Sequence, residues 1–248
     1  MDEYSASTYG DRVADVYDDW YAGDGPLGDV AGAVSFLREL AGPGPALELG
    51  IGTGRIALPL LELGVEVHGI DASDAMVTRF RAKEGGDRVP VTIGDFRDFD
   101  LGARFRLVYV VFNTFFGLLT QDDQVACFQA VARHLGDGGA FAMEAFIADT
   151  ARFDRGQRVG AIEVDQDLVR LEVSRHDAIA QRTDTQHVVI RENDIRLYPV
   201  KIRYAHMAEL DLMARIAGMR LRERWADWDR SELSSASVKH ISVWELAS

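Results

Sequence analysis

Three short stretches hold the residues whose types and spacing could do chemistry. The first is Glu48-Leu49-Gly50-Ile51-Gly52-Thr53-Gly54, lying between a strand-like and a helix-like segment. Its glycines let the backbone turn tightly and approach a ligand without side-chain obstruction. An acid on the strand side of such a turn suits a cationic ligand group and repels a pyrophosphate. A dinucleotide fingerprint G-x-G-x-x-G starting at Gly50 and Gly52 would also need glycine at position 55, which is Arg55. The second element is Asp71, ending the next strand 17 positions after Gly54; a carboxylate there in a doubly wound fold can accept both hydroxyls of a ribose. The third is Gly94-Asp95-Phe96, where Asp95 could accept from an adenine amino group and Phe96 could pack on the ring. In isolation that segment reads better as a plain turn.

These residues need elements to position them. Asp11 to Tyr21 reads as an amphipathic helix, with Val13, Val16, Tyr17 and Trp20 at helical spacing, and Val30 to Leu40 as a second helix. Between them, 22–27 is a Gly/Asp/Pro-rich loop. Strands are expected at Ala46–Leu49, Val65–Ile70, Val89–Ile93, Leu107–Phe112 and Ala140–Ile147, with helices at Ile56–Leu63, after Ser73 (a helix cap) to Phe80, and at Asp122–Leu135. Gly136 to Gly139 reads as a turn. This alternation implies a parallel sheet covered on both faces. From Val159 to Tyr204 the period changes to two, as in Leu168-Val169-Arg170-Leu171, which predicts antiparallel strands. A helix at Ala208–Ala217 closed by Gly218 and strands at Leu221–Trp225 and Val238–Leu246 finish the chain. The expected fold class is therefore α/β: a Rossmann-like, doubly wound, seven-stranded sheet with an antiparallel insertion forming a lid. Residues 1–158 supply the N-terminal helices and the cofactor core, 159–204 the insertion, and 205–248 the rest of the core.

In motif order, Ala46 to Ile147 resembles the class I S-adenosylmethionine-dependent methyltransferases. The resemblance implies that Glu48 holds the methionyl ammonium, that Gly50, Gly52 and Gly54 form the loop beneath the cofactor with Arg55 following it, and that Asp71 binds the ribose. Ala72, Met76, Asp95 and Phe96 would surround the adenine, and Asn113 would face the methionine portion. More narrowly, the chain resembles the N-methyltransferases of antibiotic biosynthesis that act on aminosugars or lincosamide amines. That likeness rests on length, the tyrosine-bearing N-terminal helix, the Gly-Thr-Gly turn and the insertion after the fifth strand. It implies S-adenosylmethionine as cofactor, S-adenosylhomocysteine as product, no metal, and a small-molecule amine as acceptor.

An amine acceptor needs no dedicated base if an aromatic pocket keeps it neutral. Tyr9, Tyr17, Trp20, Tyr21, Phe115 and Phe116 are available for such a pocket. Tyr9, which precedes the expected helix, and Tyr17, also near the cofactor, are expected to close the site, with Phe115 or Phe116 shaping the substrate wall; Trp20 fits the core side of its helix better. An O-methyltransferase is the nearest alternative and would need a base, for which His176, His187 and His206 are available. A non-catalytic cofactor-binding module is a further alternative.

Composition agrees with these readings. The chain has 248 residues, 47% of them hydrophobic, enough for a sizeable core. Twenty-seven basic against 40 acidic residues give −13, a field that repels phosphate backbones and argues against a nucleic-acid substrate. No run reaches the roughly 18 apolar residues of a membrane span. The polar start with Asp2 and Glu3 and a single cysteine, Cys127, predict a cytoplasmic protein without a thiolate metal cluster. A homo-oligomer through an exposed lid sheet is compatible with the pattern.

Overall fold

The computed structural model describes residues 4–21 and 29–247. The loop expected at 22–27 lies outside the described residues. Two helices open the chain, α1 (Thr8–Tyr21) and α2 (Val30–Ala41). The alternating part follows: β1 (Ala46–Leu49), α3 (Ala57–Glu62), β2 (Val67–Asp71), α4 (Asp74–Arg81), β3 (Val91–Ile93), β4 (Phe105–Val110), α5 (Gln121–His134) and β5 (Leu135–Phe146). The insertion comprises β6 (Gln157–Val164), β7 (Leu168–Asp177), β8 (Arg182–Arg191) and β9 (Asp194–Arg203); α6 (Met207–Ile216), β10 (Met219–Trp225) and β11 (Lys239–Leu246) complete the fold. No described helix is long and apolar enough to cross a membrane.

The large sheet has seven strands in the order β10-β11-β5-β4-β1-β2-β3. β1 to β5 are parallel, and β11 runs antiparallel between β5 and β10. Its central strands are buried on both sides, so their inner stretches are apolar, as in Leu107–Val110. One core lies under α5 and α6 around Phe115, Phe128, Phe141 and Trp244; the other lies under α2 and α3 around Phe36, Leu37, Leu60 and Tyr109.

Several boundaries differ from the sequence reading for physical reasons. The segment Gly136 to Gly139 does not precede β5 but bulges out of it: Phe105 pairs with Leu135 and Leu107 with Ala140, and Gly138 has φ +65°. β4 stops at Val110 because Phe112 and Asn113 both adopt left-handed backbone, φ 56° and 64°. α1 starts at Thr8, so Tyr9 lies in its first turn rather than before it.

In the four-stranded antiparallel sheet the order is β6-β7-β8-β9. Residues facing each other across strands share a face. Gly160, Glu172, His187 and Tyr198 form one row, on the face where α1 packs through Val13 and Ala14 against Val189 and Tyr198. The neighbouring row, Ala161, Leu171, Val188 and Leu197, points the opposite way.

Candidate active site

The loop after β1 carries three left-handed glycines, Gly50 (φ +73°), Gly52 (+56°) and Gly54 (+84°). At Gly54 a side chain is excluded twice over, by that backbone and by the Phe80 ring its Cβ would strike. Asp71 holds the loop in shape: its Oδ2 accepts from the Gly52 N–H at 2.7 Å and its Oδ1 from the Ser73 N–H at 2.8 Å. Burial pushes the Asp71 carboxyl up, and these backbone donors pull it down. Ser73 caps α4 as the sequence indicated, accepting from the Met76 N–H.

Glu48 sits at the root of the loop, 3% exposed. Burial pushes its carboxyl up to about 8; the Tyr109 hydroxyl, donating to Oε2 at 3.0 Å, and the nearby Arg55 charge only partly offset this. The Arg55 guanidinium lies 3.2 Å from the centre of the Phe112 ring. Its Nε and Nη2 are buried without a hydrogen-bond partner. A buried anion site without its cation and a buried cation without its anion, side by side, fit the ammonium and carboxylate of an amino acid. Together with the Asp71 carboxylate, the donors and acceptors present fit S-adenosylmethionine.

α1 stands over this loop through three aspartates on one face. Asp11 accepts from the Ser73 hydroxyl at 2.6 Å, Asp15 pairs with Arg79 at 2.6 Å, and Asp18 accepts from the Thr53 hydroxyl at 2.6 Å and from Lys83 at 2.8 Å. Partial burial alone would raise Asp18, but the bonds from Lys83 and Thr53 outweigh it and hold the carboxyl low. The cavity enclosed between α1 and the loop, lined by Tyr17, Glu48, Arg55 and Phe112 among others, is about 20 Å³. That is room for about one water, so α1 is closed on the loop. A second cavity of about 1,320 Å³ shares Arg55 and extends past Asp18 and Tyr21 to α2 and α3.

The tyrosines of α1 cluster here. Tyr17 stacks edge-on with Tyr21 at 4.8 Å, and the Tyr9 hydroxyl lies 3.4 Å from that of Tyr21. Burial pushes Tyr17 up to about 12 and Tyr9 well above its ordinary value, so both keep their protons at neutral pH. Trp20 packs instead on Tyr198 and His187 of the inserted sheet, with Arg170 over its ring. Phe96 lies beside Gly50.

Other expectations need correction. Phe115 and Phe116 are fully buried and line no open wall. The left-handed Asn113 turns the chain under α5, where Phe115 meets Phe128 and Phe116 meets Phe146. Asn113 spends its side-chain oxygen on the Phe146 N–H at 2.6 Å, at the end of β5. Met76 is buried under α1 with Val13 and Ala14, and Asp95 caps its own turn through the Arg97 N–H. Ala72 is half-buried beside Asp71.

Phe112 and Glu144 did not stand out in the sequence. Glu144, 4% exposed, accepts from the Phe112 N–H at 3.1 Å and from Lys239 at 3.0 Å, so it braces the strained turn that carries the ring beneath Arg55.

Comparison with known proteins decides the family. Residues 46–139 match a family model described as a methyltransferase domain. The chain is 30% identical over 216 residues to the cypemycin N-terminal methyltransferase of a Streptomyces species, covering 86% of this chain and 87% of that one. The chain belongs to the S-adenosylmethionine-dependent methyltransferases. The methyltransferase CcbJ from Streptomyces caelestis superimposes with a TM-score of 0.93 at 42% identity, over 99% of this chain and 100% of the other. CalS10, an amino pentose methyltransferase from Micromonospora echinaspora solved with S-adenosylmethionine bound, shares the fold at a TM-score of 0.71, 22% identity and 98% coverage of both chains.

Proposed function

We propose that the protein methylates the amine of a small natural product such as an aminosugar or a lincosamide. S-adenosylmethionine supplies the chemistry, a methyl group already activated by its sulfonium. The chain's part is to hold, orient and keep water out. Glu48 accepts the cofactor's ammonium, Arg55 pairs with its carboxylate, and Asp71 accepts the ribose hydroxyls while shaping the loop. α1 swings away to admit the cofactor and closes on it through Asp11, Asp15 and Asp18, with Tyr9 and Tyr17 sealing the site and the inserted sheet behind α1 as the lid. The acceptor enters through the large cavity beside Arg55, whose lining of four acids and three bases suits a polar, amine-bearing molecule.

One observation carries the choice of amine over hydroxyl. Among the described residues, the loop cavity offers Glu48 and Arg55, both taken up by the cofactor in this reading, and a Tyr17 that keeps its proton; of the acids on the large cavity, Asp18 is held low by Lys83 and Thr53, which makes it a poor base for a hydroxyl. A neutral amine needs no such base. His176 is engaged with Tyr204 and His187 packs on Trp20, both in the insertion. The kinship with an enzyme named for N-terminal methylation, and the shared fold of an amino pentose methyltransferase, support the same reading. The test is transfer from methyl-labelled S-adenosylmethionine to a panel of amino sugars and lincosamide-like amines beside matched hydroxyl compounds. Labelling confined to the amines is expected; labelling of the hydroxyl compounds overturns the proposal.

A further inference from the structure

Tyr109 is an odd residue for its place. It is fully buried in β4, the middle strand of the large sheet, between Val108 and Val110. A phenylalanine would fill that space with no polar atom to satisfy, and a buried hydroxyl costs stability unless it is bonded. Among the described residues the Tyr109 hydroxyl has one partner, Glu48, its direct neighbour across β1 and β4. It donates to Glu48 Oε2 at 3.0 Å. Burial pushes the Tyr109 phenol well above its ordinary value, so the hydroxyl keeps its proton and stays a donor. Glu48 lines the loop cavity, whereas Tyr109 is not among the described residues that line it. The bond therefore reaches the carboxylate from behind.

From this arrangement we infer that Tyr109 is a positioning residue for the cofactor, holding the Glu48 carboxylate in place before the ammonium arrives. The inference rests on Glu48 taking that ammonium. A glutamate side chain turns about several bonds, and a ligand that must first order it binds more weakly. A bond to a ring locked in a central strand removes that cost in advance. The same bond works against the burial that raises Glu48, and so favours the charged form that an ammonium needs. The other half of the clamp is built alike. The Arg55 guanidinium rests 3.2 Å from the centre of the Phe112 ring, which lies just past the end of β4. One strand thus backs both charges, with Tyr109 inside it and Phe112 beyond its last residue. Neither support shows in the motifs of the loop itself, because both come from the neighbouring strand.

The experiment is calorimetric titration of wild type, Tyr109→Phe, Glu48→Gln and the double variant with two probes. S-adenosylhomocysteine carries the ammonium; methylthioadenosine is a nucleoside thioether of the same kind without the amino-acid portion. Tyr109→Phe keeps the ring and its packing. It is expected to weaken S-adenosylhomocysteine about tenfold, as for the loss of one hydrogen bond to a charged group, and to leave methylthioadenosine unchanged. In the Glu48→Gln background the same substitution is expected to add little, because it acts through the carboxylate. Equal weakening of both probes by Tyr109→Phe overturns the inference, since that makes Tyr109 a support of the whole loop. So does a Tyr109→Phe variant that binds both probes like wild type. A Glu48→Gln variant that binds S-adenosylhomocysteine as tightly as wild type faults Glu48 itself as the partner of the ammonium, and the role of Tyr109 with it.

Discussion

Two buried ionic centres lie on either side of the joint between core and insertion, and they are built on opposite principles. At the end of β9, Arg203 reaches Gln124 at 2.6 Å, Gln181 at 3.0 Å and Glu209 at 2.7 Å. Gln124 and Gln181 pass their amide hydrogens to the carbonyls of Leu118, Arg203 and Tyr204 and to Glu209. These bonds stay within the chain and tie β9 and the β7–β8 turn to α5 and α6. At the glycine loop, Glu48 has the Tyr109 hydroxyl and the Ala57 backbone for company, and two of the Arg55 nitrogens have no partner. A satisfied network fixes geometry; an unsatisfied one is paid for in stability and repaid by a ligand.

The sharpest way to break the comparison is to remove its structural half. Arg203→Ala leaves the buried Gln124 oxygen without its donor and Glu209 without its counter-charge, and the expected loss is about 3 kcal/mol of unfolding free energy. Urea denaturation reads this directly. A loss below about 1 kcal/mol would mean that water enters the joint and that the network is not structural.

The functional half should respond with the opposite sign. Glu48 titrates near 8 when folded against 4.5 as its ordinary value. Between those values the folded state holds the extra proton, so stability falls as pH rises through the window. Glu48→Gln removes that dependence while still accepting from Tyr109. The ligand-free variant is expected to melt higher than wild type at pH 8 to 9, and to lose roughly 100-fold in S-adenosylmethionine affinity, about 3 kcal/mol. Calorimetric melting with titration of the cofactor separates the two effects. A variant that melts lower at high pH would show that Glu48 is already satisfied within the fold.

A smaller effect is expected where the two principles meet. Glu144 is ion-paired like the scaffold, but it braces the Phe112–Asn113 turn beneath Arg55. Glu144→Ala should lower kcat about tenfold, about 1.4 kcal/mol. Glu144→Gln, which keeps an acceptor for the Phe112 N–H, should recover most of it. Equal losses in the two variants would assign the effect to the Lys239 ion pair instead.

That turn also marks the limit of what the sequence could reveal. The glycine turn, with Glu48 at its root and Asp71 after the next strand, was legible because its backbone geometry demands glycine at fixed places in a strand-turn-helix. Most strand centres were legible because periods of two and alternating apolar runs survive local irregularity. Phe115 and Phe116 were not, because a left-handed Asn113 reverses the chain, and an aromatic pair after a strand looks the same whether it lines a pocket or fills a core. Met76 also packs under α1 and Asn113 also secures the end of β5, contacts that no local pattern in the sequence announces. The latch of Asp11, Asp15 and Asp18 was within reach: its spacing puts three carboxylates on one helical face, but reading the helix by its apolar residues passed over them.

The smallest expected effect tests the tyrosines of α1. Tyr9 and Tyr17 are buried, and at neutral pH each offers a hydroxyl proton rather than a charge. Tyr17→Phe keeps the ring that walls the loop cavity and removes only that donor, so turnover should fall about fivefold, near 1 kcal/mol, as for the loss of one neutral hydrogen bond. Tyr9→Phe, one contact further out and bonded only to the Tyr21 hydroxyl, should cost less still. Because Tyr17 is pushed up to about 12, neither variant should change the shape of the pH–rate profile below pH 10. An altered profile would make Tyr17 a proton-transfer group and reopen the hydroxyl acceptor. Unchanged turnover in both would leave the tyrosines as packing alone and assign closure of the site to the aspartate latch.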